Sequence, residues 1–174
     1  MINRWVEIAG PRTTRDVARM ISDIVSDDYL NIVAEPFGAG KYTLYLYLTD
    51  GRRIRLGDMG DGIKQIVTLL LLYKITKPKI LLIDDVEAHI NPSMLTFLAM
   101  WLADIVKEKV HVIITTHSLE AVDLIISVLD TIEPRIIISS LRDGKLLTKT
   151  IAPEEYEELR NAGLDVRISG GLLM

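Results

Sequence analysis

Ile80-Leu81-Leu82-Ile83-Asp84-Asp85 is the stretch that decides the fold, an apolar run ending in paired carboxylates. A continuous apolar run, as opposed to an alternating one, marks a strand buried in a parallel sheet. In open α/β sheets ligands collect outside the carboxyl ends of such strands. A first carboxylate there suits a hydrated Mg²⁺, which takes one or two carboxylates and completes its shell with waters and phosphate oxygens. A second carboxylate can orient and polarise an attacking water. A strand that merely ends in a solvated Asp-Asp turn fits the same residues equally well.

Working outward toward the C-terminus, Asn91-Pro92 places an asparagine at a helix cap and a proline at the first helical position, and the helix runs to about Lys107. Val110–Thr115 is a second apolar strand, and Thr116-His117-Ser118 puts a histidine at its junction with the next helix, capped by Ser118 and running to about Leu129. A histidine in that place can donate a hydrogen bond to a γ-phosphate, although capping or packing is the commoner use. Toward the N-terminus, Gly62 opens a long apolar helix that Pro78 follows. The glycine-rich Gly57-Asp58-Met59-Gly60-Asp61-Gly62 ahead of it leaves backbone N–H groups free for a phosphate. An ordinary loop-to-helix turn reads the same way. The strand–helix–strand–helix order predicts an α/β fold, a parallel-sheet lobe with helices on both faces.

The flanks are more ordinary. Thr13-Thr14-Arg15-Asp16 reads as a capping box, with a helix over about 14–26 behind it. A strand at Tyr29–Ala34, a turn-rich break and a β-hairpin formed by Tyr42–Leu48 and Arg52–Leu56 follow. The tail predicts strands at Arg135–Ser139 and Leu146–Thr150 around an Asp143-Gly144 turn, then an acidic helix from Pro153. With no repeat and no clear linker, residues 1–174 read as a single domain, of which 1–54 form a helix and hairpin region leading in.

Composition narrows the function classes. A hydrophobic share of 49% is ample for a core, and the net charge of −4 with a pI near 5.4 argues against a dedicated nucleic-acid binder. The basic hairpin (Lys41, Arg52, Arg53, Arg55) leaves a nucleic-acid contact open beside a solvated surface. The absence of cysteine excludes disulfides and thiolate metal sites. The longest apolar run, Ile66–Tyr73, falls far short of the roughly 20 residues of a membrane span. With no signal-peptide core at the N-terminus, a cytoplasmic protein is expected. A single glutamine, Gln65, amid abundant Ile, Glu, Lys and Arg leans toward a thermophile. Trp5 and Trp101 read as core or interface fillers.

Taken in order, three of these segments resemble the C-terminal lobe of an ATP-binding-cassette (ABC-type) head. The resemblance is narrowest to the soluble ATPases of the chromosome-maintenance (SMC), RecF and OLD groups. Gly60-Asp61-Gly62-Ile63-Lys64 stands where that family has its signature motif. Leu81-Leu82-Ile83-Asp84-Asp85-Val86-Glu87-Ala88-His89-Ile90-Asn91-Pro92 resembles its Walker B and D-loop, and Thr115-Thr116-His117-Ser118 its switch-histidine motif. The match is specific over about 55–125, looser over the tail, where Leu164-Asp165-Val166-Arg167 is similar to the family's end, and weak before residue 50.

The resemblance implies a P-loop-NTPase-like fold and ATP hydrolysis with Mg²⁺ at a composite site. Asp84 would bind the metal, Asp85 and His117 would be catalytic, Gly60, Gly62 and Lys64 would meet nucleotide, and Glu87 and His89 would lie at a head–head interface. Three positions depart from the family: Asp85 replaces its catalytic glutamate, Gly60 its signature serine, and Asn91 its second D-loop histidine. No Walker A motif occurs, since Gly38-Ala39-Gly40-Lys41-Tyr42-Thr43 lacks the first glycine and the Ser/Thr. The P-loop is therefore expected on a preceding N-terminal lobe or a separate chain, with Met1 an internal start or a cut boundary, and the complete protein as a head-to-head homodimer. Two other classes stay open: a metal-dependent nuclease using Asp84, Asp85 and Glu87, and a non-catalytic interaction or regulatory module.

Overall fold

The computed structural model describes the backbone of residues 2–129 and 132–169 and the side chains of 10–129 and 132–167. Its contacts divide it into two compact units, Met1–Leu124 and Ile125–Met174.

The first unit begins with α1 (Ile2–Ser22), broken at Gly10, whose φ of 67° and ψ of 158° lie outside the helical region. Pro11 follows, its fixed φ suited to the first turn of the second segment. The capping box expected at Thr13–Asp16 is therefore not a helix start. Gly10-Pro11 starts that segment earlier, and the Thr14 hydroxyl lies 3.2 Å from the Pro11 carbonyl and 2.7 Å from Asn31 Oδ1. Val17, Ala18 and Ile21 on α1 are fully buried. The helix packs on β1 (Tyr29–Pro36) and α2 (Asp61–Thr76).

β1, β2 (Tyr42–Leu48) and β3 (Arg53–Arg55) form an antiparallel sheet in that order, with Leu46 opposite both Ile32 and Ile54. Gly38 and Gly40, at φ 61° and 71°, close the β1–β2 turn. Along α2, Ile63, Ile66, Val67, Leu70 and Leu71 recur at helical spacing and are buried. Lys77 ends the helix in the left-handed region, and Pro78 follows.

β4 (Ile80–Ile83) and β5 (His111–Ile114) pair in parallel, from Ile80 opposite His111 to Ile83 opposite Ile114. The helix α3 (Pro92–Lys107) joins them. As the sequence predicts, Asn91 Oδ1 accepts the Met94 N–H at 2.9 Å. Trp101 on α3 is buried edge-on to Tyr73, ring centroids 5.1 Å apart, so it is a core residue; the Trp5 side chain lies outside the described residues. Ser118 caps α4 (Leu119–Ser127) by accepting the Ala121 N–H at 3.1 Å.

The two parallel strands are less buried than their apolar runs predict. Ile80, Leu82 and Ile113 are 59%, 69% and 57% exposed, and their alternation puts them on one face, while Leu81, Ile83, Val112 and Ile114 are half-buried. The reason is that, among the described residues, only two strands form this sheet.

In the second unit β6 (Ile136–Arg142) and β7 (Lys145–Ile151) make an antiparallel hairpin through Asp143-Gly144, both at positive φ. α5 (Pro153–Asn161) buries Tyr156 and carries Glu154 and Glu155 in its first turn, where acids complement the helix dipole. α6 (Val166–Ser169) contacts both α5 and β6.

Candidate functional site

The parallel register places Asp84 and Thr115 beside each other, one step beyond the last paired residues. The Thr115 hydroxyl donates to Asp84 Oδ1 at 2.5 Å and accepts the Asp85 N–H at 2.9 Å. The backbone continues the pairing, since Val86 N–H reaches the Thr115 carbonyl at 3.0 Å. The carboxyl ends of β4 and β5 are thus tied by side chains where the ladder stops.

Asp85 takes a φ of 48°. That left-handed conformation is tolerated by aspartate and asparagine better than by longer side chains. The turn brings Asp85 Oδ1 within 3.4 Å of His117 Nε2, with the imidazole 90% exposed. Asp84 and Asp85 have no lysine or arginine within ion-pair distance among the described residues.

Asp84 suits a hydrated Mg²⁺ by the chemistry of its donors. Its carboxylate is exposed, Oδ1 is fixed by a hydroxyl, and no described hydrogen bond engages Oδ2.

Glu87 turns inward, where its Oε1 accepts the His117 backbone N–H at 2.9 Å. Burial pushes its carboxyl up, but hydrogen bonds from the Thr116 hydroxyl and the nearby backbone N–H groups outweigh this and leave it below the ordinary range. No group of three or more His, Asp or Glu side chains placed to hold a metal occurs among the described residues. Asp84, Asp85 and Glu87 do not form such a group.

The glycine-rich segment meets this region from the other side. Gly60, at φ 84°, precedes α2, and Lys64 pairs with Asp61 at 2.6 Å on the first turn. The Lys64 ammonium is the main cause that holds the Asp61 carboxyl below its usual range. Gly62 packs against the turn after Asp85: a methyl group there would lie 2.6 Å from the His89 carbonyl oxygen. His89 is itself at φ 61° and exposed. The structure thus joins Asp84, Asp85, Glu87 and His117 through one network. It joins Gly62 to His89 by backbone contact.

Thr115 is the site residue to which the sequence assigns no role. Its signal was present in the parallel register, which sets it opposite Asp84. In the basic hairpin, Arg52 pairs with Asp50 at 2.6 Å, Arg55 with Asp58 at 2.5 Å, and Arg53 with Glu35, so these arginines are answered locally.

Residues 7–123 match the model of a family described as AAA domain, putative AbiEii toxin, Type IV TA system. An uncharacterized protein of Methanocaldococcus jannaschii is 38% identical over 114 residues, which span 63% of this chain and 99% of that protein. Among solved structures the fold is similar to a chain from work on ATP-driven dimerization and DNA-stimulated activation of SMC ATPases. There the TM-score is 0.63 at 18% identity, over 86% of this chain and 89% of the other. The Smc head domain of Pyrococcus furiosus bound to the C-terminal domain of ScpA gives 0.58 at 18% identity, over 86% of this chain and 37% of that one. The Smc head of Pyrococcus yayanosii gives 0.61 at 17%, over 87% and 29%. The chain thus spans well under half the length of those two heads. No helix among the described residues is long and apolar enough to cross a membrane.

Proposed function

The chain belongs to the AAA-domain family described as putative AbiEii toxin, Type IV TA system, and from that premise we propose that it supplies one side of an ABC-type ATP-hydrolysing site, in the manner of an SMC-like head. The observation that carries the proposal is the convergence of Asp84, Asp85 and His117 at the carboxyl ends of neighbouring parallel strands. This is where α/β sheets place their ligands.

Asp84 would hold Mg²⁺, which supplies charge neutralisation on the phosphates. Asp85 would orient the attacking water and draw off its proton. His117, exposed and within 3.4 Å of Asp85, would donate Nε2–H to the γ-phosphate. Gly60 would offer backbone N–H to nucleotide at the start of α2, and Lys64 and Gly62 would line that approach. The turn carrying Glu87 and the exposed His89 would face a second head through His89, with the Glu87 carboxylate held inward, and the complete ATPase would work as a dimer in the cytoplasm. The Walker A sequence does not occur in these 174 residues, so the P-loop would come from a lobe outside them. The open apolar face of Ile80, Leu82 and Ile113 supports this, since it runs into the Asp84–Thr115 rung and offers a partner lobe a dry surface beside the site.

The test is calorimetry with ATP–Mg²⁺. The chain alone should bind worse than millimolar, because a P-loop's lysine and backbone amides carry most phosphate contacts. With the P-loop lobe present, Asp84→Asn should weaken Mg²⁺-dependent nucleotide use. Micromolar binding by the chain alone would overturn the half-site reading.

A further inference from the structure

The segment between Asp84 and His89 holds one carboxylate that points neither to solvent nor toward the ends of Asp84 and Asp85. Glu87 Oε1 accepts the backbone N–H of His117 at 2.9 Å, and Glu87 Oε2 is buried without a hydrogen-bond partner among the described residues. A carboxylate turned inward beside an exposed edge gives up hydration and is kept there only by the donors it meets. Those donors belong to the loop that presents His117.

We propose that Glu87 is a positioning residue that locks the His117 loop to the turn following Asp85. Three ties succeed one another along the same edge. Asp85 N–H bonds the Thr115 hydroxyl, Val86 N–H bonds the Thr115 carbonyl, and His117 N–H bonds the Glu87 carboxylate. The first two extend the parallel pairing; the last carries it to the residue whose imidazole is 90% exposed and lies 3.4 Å from Asp85 Oδ1. Beyond Glu87 the same turn meets Gly62 through the His89 carbonyl. The start of α2, the 85–89 turn and the His117 loop therefore form one mechanical unit. Glu87 is its link to the histidine.

The link is a property of this chain. Its consequence for turnover rests on His117 acting on phosphate, as proposed above. The experiment separates the two. Amide hydrogen exchange is read residue by residue by NMR on the chain, for the native protein, Glu87→Gln and Glu87→Ala. In Glu87→Ala the His117 amide should exchange at least about tenfold faster, the scale of one lost charge-assisted hydrogen bond, while amides within β4 and β5 keep their rates. Glu87→Gln, which keeps the shape and a carbonyl acceptor, should fall between the two. Unchanged His117 exchange in both variants, with β4 and β5 still protected, would overturn the proposal. With the P-loop lobe supplied, Glu87→Gln should lower kcat and leave KM for ATP near its native value. Faster exchange with native turnover would support the link and remove His117 from the chemistry.

Discussion

In the β1–β3 sheet each of three arginines is answered by an acid nearby in the structure: Arg52 by Asp50, Arg55 by Asp58, and Arg53 by Glu35, which also takes the Tyr47 hydroxyl. At the carboxyl edge of β4 and β5 the acids have no such answer. Asp84 has a hydroxyl, Asp85 a histidine, and Glu87 backbone amides. Both regions are rich in charge, yet only one is closed on itself. Exposed ion pairs contribute little to stability, and here their effect is to pair these three arginines within the hairpin region. The carboxylates at the strand ends are instead held by a hydroxyl, an imidazole and a backbone N–H, with no described lysine or arginine paired to Asp84 or Asp85.

The sharpest way to break the comparison is at Asp85. In the complete ATPase, Asp85→Asn should slow steady-state phosphate release by about 10²-fold or more, near 3 kcal/mol, because an amide cannot polarise water as a carboxylate does. The melting temperature should hold, since asparagine accepts the left-handed backbone. Asp85→Glu should hold or raise the rate while lowering the melting temperature, because glutamate tolerates a φ of 48° less well. Native turnover in both variants would show that Asp85 is not the base and would favour the non-catalytic alternative.

Thr115→Val should come next. It removes the hydroxyl that donates to Asp84 and accepts from Asp85 N–H, a loss of roughly 1.5–3 kcal/mol for a bond to a charged group. Phosphate release should fall roughly tenfold, and Thr115→Ser should restore it. A valine variant with native kinetics would mean that the carboxylates are held by backbone alone.

Gly62→Ala tests the close approach of α2 to the 89–90 turn. The added methyl meets a backbone carbonyl at 2.6 Å, which cannot move aside as a flexible side chain can. Thermal unfolding should report a loss of about 1–3 kcal/mol, as for other overpacked sites. Unchanged stability would show that the turn yields freely.

The smallest effect belongs to the hairpin. Glu35 is held below the usual carboxylate range, chiefly by the Tyr47 hydroxyl and also by Arg53. A carboxyl with a depressed folded pKa adds stability above its unfolded value, and that stability disappears as pH falls through the folded value. Carboxyl NMR should therefore place the Glu35 midpoint below 4.5, the ordinary value. The hairpin should weaken only in acid more extreme than that. A midpoint at or above the ordinary value would mean that the Tyr47–Glu35–Arg53 contact does not persist in solution.

Much of the fold was legible in local chemistry. Asn91-Pro92 and Ser118 fixed helix starts because capping depends on adjacent backbone donors, and the Tyr42–Leu48 and Arg52–Leu56 segments pair as the hairpin read from them. The apolar runs fixed β4 and β5 as parallel partners. The Thr13–Asp16 box misled because Gly10-Pro11 supplied a stronger start just upstream.

What the sequence determined by itself was therefore the elements, their order, and which residue types end each strand. Propensity, capping and periodicity act over a few neighbours, and they need no fold to operate. Only the tertiary structure decided how those residues are used. The register set Thr115 against Asp84, a left-handed turn aimed Asp85 at His117, Glu87 turned back to the His117 amide, and Gly62 met the His89 carbonyl. Each of these relations joins positions that lie far apart along the chain, except the φ of Asp85, which is local but set by the ties on either side of it. Such distances are fixed by packing, and packing is a property of the whole fold.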